Sequence, residues 1–240
     1  MKCSNIKMNG YILHLINTDK FNMIKISVNF RTKLKKEDIT IRNFLFEMLT
    51  LSCKKYNTSR LLEIELETLY AASLYNISQR MGDNIVSSID LNIIDNRYAN
   101  INLLEESLKL LSEVLYNPNI DKNTFDKKTF NQVKNELIIY YKSLKNRPDV
   151  YCNLKAMDQL GNNDSNSYRT YGYLEDISKI TLKKLYNYYK KVFKEDMIDI
   201  FVVGNINKNE IMTLFKNNFK FNNNSNKGLE YKVKYDNIPI

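Results

Sequence analysis

Between residues 38 and 94 the apolar positions change period. Behind Asp38, which can cap a helix, Ile41, Phe44, Leu45, Met48, Leu49 and Leu51 recur at helical spacing. Tyr56-Asn57-Thr58 breaks that pattern, and Ser59 is placed to cap a second helix, Leu61 to Tyr70, with Leu62, Leu66 and Leu69 on one side. The period then drops to two, which predicts a strand from Ser73 to Gln79, a turn at Met81-Gly82-Asp83 and a second strand from Ile85 to Ile94. The rest of the chain is organised around these two helices and two strands, and a site is first sought here.

The flanking segments follow the same logic. Tyr11 to Ile16 and Met23 to Phe30 alternate and are joined by Asn17-Thr18-Asp19-Lys20, the pattern of a β-hairpin; Arg31 to Glu37 reads as a charged connector. A helix is predicted from Asn102 to Tyr116, ended by Asn117-Pro118-Asn119. Thr124 opens a long helix reaching about Asn146, and Pro148 can start the next, with Tyr151, Leu154 and Met157. Gly161 to Ser167 is polar and loop-like, and Leu174 to Ile177 is a short turn or helix. Thr181 caps a helix, Met197 to Val203 is a short apolar strand ending at Gly204-Asn205, and Asn207 caps a last helix, Glu210 to Phe219. Asn222 to Lys227 reads as a linker and Leu229 to Tyr235 as a strand, so the expected division is a domain over 1–220, with 221–240 opening a second half supplied by more chain or by a partner. Early strands, central helices and a late strand–helix pair predict an α+β domain with a mostly antiparallel sheet covered by helices.

Composition narrows the function classes. A 43% hydrophobic fraction in 240 residues suffices for a core. No apolar run is long enough to span a bilayer and Met1 to Lys7 lacks a signal-like stretch, so a soluble cytoplasmic protein is expected. Cys3, Cys53 and Cys152 match no metal or redox spacing; reduced thiols are expected, with Cys53 used for packing. The 36 Lys and Arg against 27 Asp and Glu leave a net +9, which raises nucleic acid as a partner. Lysine pairs scattered over many segments and mixed with Glu describe solvated faces instead, so a basic nucleic-acid-binding module ranks last. The one histidine, His14, falls in an alternating strand, where a satisfied or exposed ring is expected. Tyr140, Tyr141, Tyr188 and Tyr189 sit at helical spacing and are assigned to the core, in preference to a binding surface. Gly204-Asn205 reads as a plain strand-to-helix turn.

Three blocks carry a resemblance. They are Arg42 to Leu49 with Leu66 to Ser73, then Val133 to Leu137 with Asn146-Arg147-Pro148, and finally Tyr171 to Ile177 with Ile180-Thr181, Tyr188-Tyr189 and Ile200 to Ile206. In order and spacing they resemble the N-terminal half of an M16 (insulinase, pitrilysin-like) peptidase, a LuxS/MPP-like α+β domain. The pattern at Arg42, Leu45, Tyr56, Thr58, Ser59 and Leu69 to Ala72 is most similar to noncatalytic M16-like proteins of Gram-positive bacteria associated with modification of elongation factor P.

Active members of that family bind zinc through His-x-x-Glu-His and a later Glu: imidazoles four residues apart converge on the metal and the motif Glu activates its water. Here the two histidine positions fall at Asn43 and Glu47, the general base at Phe46, and Glu136 is the one matching ligand. The resemblance therefore implies no catalytic residue and no metal or cofactor in this chain, with zinc expected only in an active partner. It implies a structural or peptide-holding subunit, paired as a heterodimer with a catalytic M16 chain or with its own C-terminal half. The alternative is an active zinc endopeptidase whose ligands a partner completes. Asn43 is either a polar remnant of the site or an ordinary exposed residue beside Arg42, and Glu47 and Glu136 are read as solvated in preference to contacting a peptide's amino groups.

Overall fold

The computed structural model describes residues 2–160 and 165–221, without the side chains of Lys2, Leu160 and Asn166. The expected linker Asn222 to Lys227, the strand Leu229 to Tyr235 and most of the loop from Gly161 lie outside the described residues. Strands β1 (Lys2–Lys7), β2 (Ile12–Asn17) and β3 (Met23–Lys33) lead into helices α1 (Lys36–Leu51) and α2 (Ser59–Thr68). Strands β4 (Ser73–Met81) and β5 (Asn84–Ile94) come next, then α3 (Leu103–Tyr116), the two-residue strands β6 (Ile120–Asp121) and β7 (Thr124–Phe125), and α4 (Lys127–Ser143). The chain continues through α5 (Pro148–Leu160), α6 (Leu174–Ile177), α7 (Leu182–Glu195), β8 (Met197–Gly204) and α8 (Lys208–Asn218).

A six-stranded sheet of order β1-β2-β8-β3-β5-β4 forms the centre. All neighbours are antiparallel except β2 and β8, which run parallel from Ile12↔Asp199 to Asn17↔Gly204. The mixed but mostly antiparallel α+β architecture is the one the sequence pattern predicts. Alternation sends Leu13, Leu15, Ile26, Val28, Phe30, Ile89, Leu91, Ile200 and Val202 into one buried core with Phe44, Leu45 and Leu49 of α1 and Leu108 and Leu111 of α3. The other face is polar in places: Asp90 accepts from Ser27 Oγ at 2.6 Å and pairs with Lys25 at 2.7 Å.

The expected hairpin between the first two alternating segments does not form. β8 inserts between β2 and β3 and bonds to both, and the polar residues after Asn17 span the slot, with the Thr18 amide donating to the Gly204 carbonyl at 2.9 Å. Local turn chemistry marks a reversal but cannot say whether the strands it joins are neighbours. β8, with Ile198, Ile200 and Val202 buried, needs a partner on each edge. The mostly polar β1 pairs with β2 as an edge strand and carries little period-two signal.

Several helix starts also shift. Asp38 is not a cap; α1 begins earlier, after Lys35, and Asp38 sits in its first turn, where the helix dipole favours an acid and Lys191 pairs with it at 2.9 Å. Thr58, not Ser59, caps α2 by accepting from the Leu61 amide, and α2 stops at Thr68 because Tyr70 and Ala71 turn through left-handed backbone. Thr124 opens no helix. It pairs with Asp121 across a tight turn in which Lys122 and Asn123 have φ of 46° and 64°, and Asp126 caps α4 instead. Thr181 and Asn207 cap α7 and α8 as predicted, Asn102 caps α3 by accepting from the Glu105 amide, and Cys53 is fully buried in the core.

Candidate functional site

Asn43 and Glu47 are one helical turn apart on α1 and therefore share a face. α4 lies against α1, held by the Phe44 and Phe130 rings at 4.8 Å and by buried Val133, Leu137 and Tyr141, which brings Glu136 to the same cleft. From below, alternate residues of edge strand β4, Asn76 and Ser78, reach the cleft, and Thr170 and Tyr171 close its end. The result is a cavity of about 370 Å³.

The closing segment is tied down residue by residue. Asn43 Nδ2 donates to the carbonyls of Thr170 at 2.8 Å and Tyr171 at 2.7 Å, the Tyr141 hydroxyl donates to the Tyr171 carbonyl, and the Tyr173 amide donates to Thr40 Oγ1 at 3.0 Å. Gly172 makes this approach possible. Its φ is +99°, and a Cβ there would lie 2.7 Å from Tyr141 Oη and 2.9 Å from Thr40 Oγ1. Asn43 is thus neither an ordinary exposed residue nor free to turn toward a metal; it staples the third sequence block to the first.

Phe46, at the general-base position, points away from the cavity and is fully buried. Its ring meets Phe30 at 5.4 Å, edge to face, and the Arg42 guanidinium lies 5.4 Å from its centroid. Arg42 is not exposed either. Its guanidinium donates to Ser87 Oγ at 2.8 Å and to the Phe30 carbonyl at 2.7 Å, and pairs with Asp196 at 2.7 Å. Burial pushes the Asp196 carboxyl up, and the Arg42 charge opposes that push.

The two carboxylates differ from their expected surface role in unequal measure. Glu136 is exposed and accepts from Gln132 Nε2 at 3.0 Å. Glu47 is half-buried: desolvation raises its pKa, a hydrogen bond from Asn76 lowers it, and the negative charge of Glu136 raises it further. Among the described residues, neither carboxylate has a Lys or Arg within ion-pairing distance, and no group of three or more His, Cys, Asp or Glu side chains is arranged to hold a metal. His14 cannot contribute: it sits in β2, 2.9 Å from Asn5 Oδ1 and 3.0 Å from Asp199 Oδ1, stacked on Phe201. With an amide committed to backbone carbonyls, a phenyl ring in the core and no imidazole, the donors present do not fit zinc.

Asn76, Ser78, Thr170 and Tyr171 line the cavity although the sequence did not mark them as site residues. Of the tyrosines assigned to the core, Tyr141 and Tyr188 are buried, but Tyr140 is 39% exposed at the cavity rim, 6.4 Å from the Tyr171 ring. A helix face that changes from core to cleft along its length hides this in any periodicity count.

A helix pair over a mostly antiparallel sheet, with Asn43, Phe46 and Glu47 on the first helix and Glu136 on the second, is similar to the domains of M16-like peptidases. A family model described as the Peptidase M16 inactive domain matches residues 179–239. Among characterised proteins, the chain is 26% identical over 216 residues to the "Probable inactive metalloprotease YmfF" of Bacillus subtilis (strain 168), covering 89% of this chain and 51% of that protein. A conserved protein of Enterococcus faecalis V583 superposes with a TM-score of 0.87 at 26% identity, over 98% of this chain and 56% of that one. The first half of the periplasmic protease PqqL from Escherichia coli has the same fold, with a TM-score of 0.72 at 16% identity, over 97% of this chain and 48% of that one. The chain spans about half the length of the curated relative it matches. No described helix is long and apolar enough to cross a membrane.

Proposed function

We propose that this chain is a catalytically silent M16-like half that holds an extended peptide beside a zinc-bearing partner, the partner being a catalytic M16 chain or the protein's own second half. One observation carries the reading: the degenerate motif keeps its cleft but not its chemistry. Asn43, Glu47 and Glu136 still meet in one cavity, while Phe46 is turned into the core.

The cavity lies at the sheet's edge strand. β4 ends the sheet order, so one row of its backbone groups is available to an added strand, and Asn76 and Ser78 place the cavity directly beside that edge. A peptide bound there gains backbone hydrogen bonds from β4 and side-chain contacts from the cleft, without any group able to activate water. A cytoplasmic setting belongs to the same proposal.

Co-expression with an M16 chain that keeps His-x-x-Glu-His tests the pairing. The expected result is a complex on size exclusion with zinc in the partner alone and peptide turnover that requires both chains. Turnover by the partner at the same rate without this chain, and no complex, would overturn it. Zinc and turnover in this chain alone would favour the active-peptidase reading.

A further inference from the structure

We infer that Ser78 holds its hydroxyl proton out to the cavity, and that in a peptide lying along β4 it selects a residue with a short oxygen acceptor at the facing position. The direction of the proton follows from the contacts behind Ser78; the choice of ligand rests on the peptide-holding reading.

A chain of donors runs from the core to the sheet edge. Arg42 is fully buried, and its guanidinium is fixed by Asp196 and by the Phe30 carbonyl, both at 2.7 Å. Its Nε donates to Ser87 Oγ at 2.8 Å, and a guanidinium can only donate, so Ser87 Oγ is the acceptor of that bond. Ser87 is itself fully buried, so its own hydroxyl hydrogen must be given to an acceptor or its desolvation goes uncompensated. Among the described residues the other hydrogen-bond partner of Ser87 Oγ is Ser78 Oγ, 2.8 Å away across the β4–β5 pair, where Ser78 and Ser87 are direct partners. The bond therefore runs from Ser87 to Ser78. Ser78 Oγ has no other hydrogen-bond partner among the described residues, and its side chain lines the cavity, so its own proton is left for a ligand there. The positive charge at the start of the chain polarises both hydroxyls in the same sense, which strengthens Ser78 as a donor.

Strand geometry limits what can meet that proton. β4 ends the sheet order, and Ser78 points to the side of the sheet that carries the cleft, as Asn76 does. In a strand added to β4, backbone carbonyls lie in the plane of the sheet and bond to the β4 backbone. The side chain facing Ser78 instead stands on the same side as Ser78, at a Cβ separation of about 4.5–5.5 Å. Ser, Thr and Asn carry an oxygen at the length that this separation requires, and that oxygen extends a ladder already running from Ser87 to Ser78. An acidic residue has the acceptor but meets Glu47 and Glu136 in the same cavity. An aliphatic side chain of the same size displaces water from the Ser78 hydroxyl and leaves it without an acceptor. Ser78 is therefore a selecting residue of the cleft, made a donor by Arg42 and Ser87.

The test uses an isosteric pair. O-methylserine and norvaline have side chains of equal length and differ in one ether oxygen, which accepts a hydrogen bond but cannot donate one. Each is placed in turn at the central positions of a capped, fluorescently labelled, β-forming peptide, and binding is measured to the wild-type chain and to Ser78→Ala. That variant leaves every Arg42 contact in place, and thermal unfolding checks that it folds. The expected result is that at one position the O-methylserine peptide binds about three- to ten-fold more tightly than the norvaline peptide, and that Ser78→Ala abolishes the difference. Equal binding at every position, or a difference that survives in Ser78→Ala, would overturn the selection and leave peptide holding intact. If neither peptide binds, the peptide-holding reading fails and the choice of ligand is overturned with it; neutron diffraction from the deuterated chain then decides the direction of the proton by itself. The Ser87 deuterium directed at Ser78, with the Ser78 deuterium directed into the cavity, would support it. A Ser78 deuterium directed at Ser87 would overturn it.

Discussion

In the proposed catalytically silent reading Phe46 stands at the general-base position, and Phe46→Glu, which places a carboxylate there, is the perturbation that exposes how the fold has used the position. The ring is fully buried, packed edge to face on Phe30 and covered by the Arg42 guanidinium. Removing a buried Phe ring costs about 3–5 kcal/mol. The carboxylate that replaces it must also be desolvated, and the nearest cation, Arg42, is already engaged by Asp196, Ser87 and the Phe30 carbonyl. With domain stabilities of about 5–15 kcal/mol, Phe46→Glu is expected to lose a large part of the total. Urea denaturation followed by far-UV circular dichroism measures this directly as a fall in midpoint at constant slope. By contrast, Asn43→His with Glu47→His leaves the core untouched but breaks the two Asn43 hydrogen bonds to the Thr170 and Tyr171 carbonyls, so it is expected to cost a smaller part of the stability, about 1–3 kcal/mol, and to gain zinc affinity through Glu136. A Phe46→Glu variant with the wild-type midpoint would refute the placement of Phe46, and with it the argument that the fold has closed around the lost base.

Three further outcomes follow from the same contacts. Arg42→Met leaves Asp196 buried without its cation and is expected to cost about 3–5 kcal/mol, whereas adding Asp196→Leu recovers most of that loss in the same denaturation assay. Glu47 has a folded-state pKa raised above its unfolded value, so its charged form opposes folding; the opposition is absent below the unfolded pKa and grows as pH rises through the folded one. Glu47→Gln should therefore raise the thermal midpoint at pH 8 and lose that advantage as pH falls toward 4, and an advantage that grows in acid would contradict the assignment. Gly172→Ala places a Cβ against Tyr141 and Thr40 at φ +99° and is expected to cost about 1–3 kcal/mol, with faster amide exchange at Tyr171 and Tyr173 as the local signature.

Much of this architecture is legible in the chain because its strongest signals are local and periodic. The spacing of Ile41, Phe44, Leu45, Met48 and Leu49 reports a helix buried on one side, and Asn102, Thr181 and Asn207 cap where their side chains can reach free amides. The sheet order was not legible: β2 and β3 look like hairpin partners until β8, arriving after some 160 residues, takes the position between them. Caps fail where two candidates adjoin, as Thr58 and Ser59 do, since only backbone geometry chooses between them. At the site, the motif positions Asn43, Phe46, Glu47 and Glu136 could be listed from the sequence, but not their directions. That Asn43 binds the 170–171 carbonyls, that Phe46 faces the core and that Tyr140 reaches the rim all depend on how α4 and the segment before α6 settle on α1.

We propose that the cleft between α1 and α4 survives without metal chemistry. Its most direct test is one titration of the purified chain with zinc, followed by metal analysis and an assay on a broad peptide library. Far less than one zinc per chain after dialysis and no cleavage above a no-protein control are expected. One tightly bound zinc per chain, with peptide hydrolysis lost in Glu136→Gln, would contradict it.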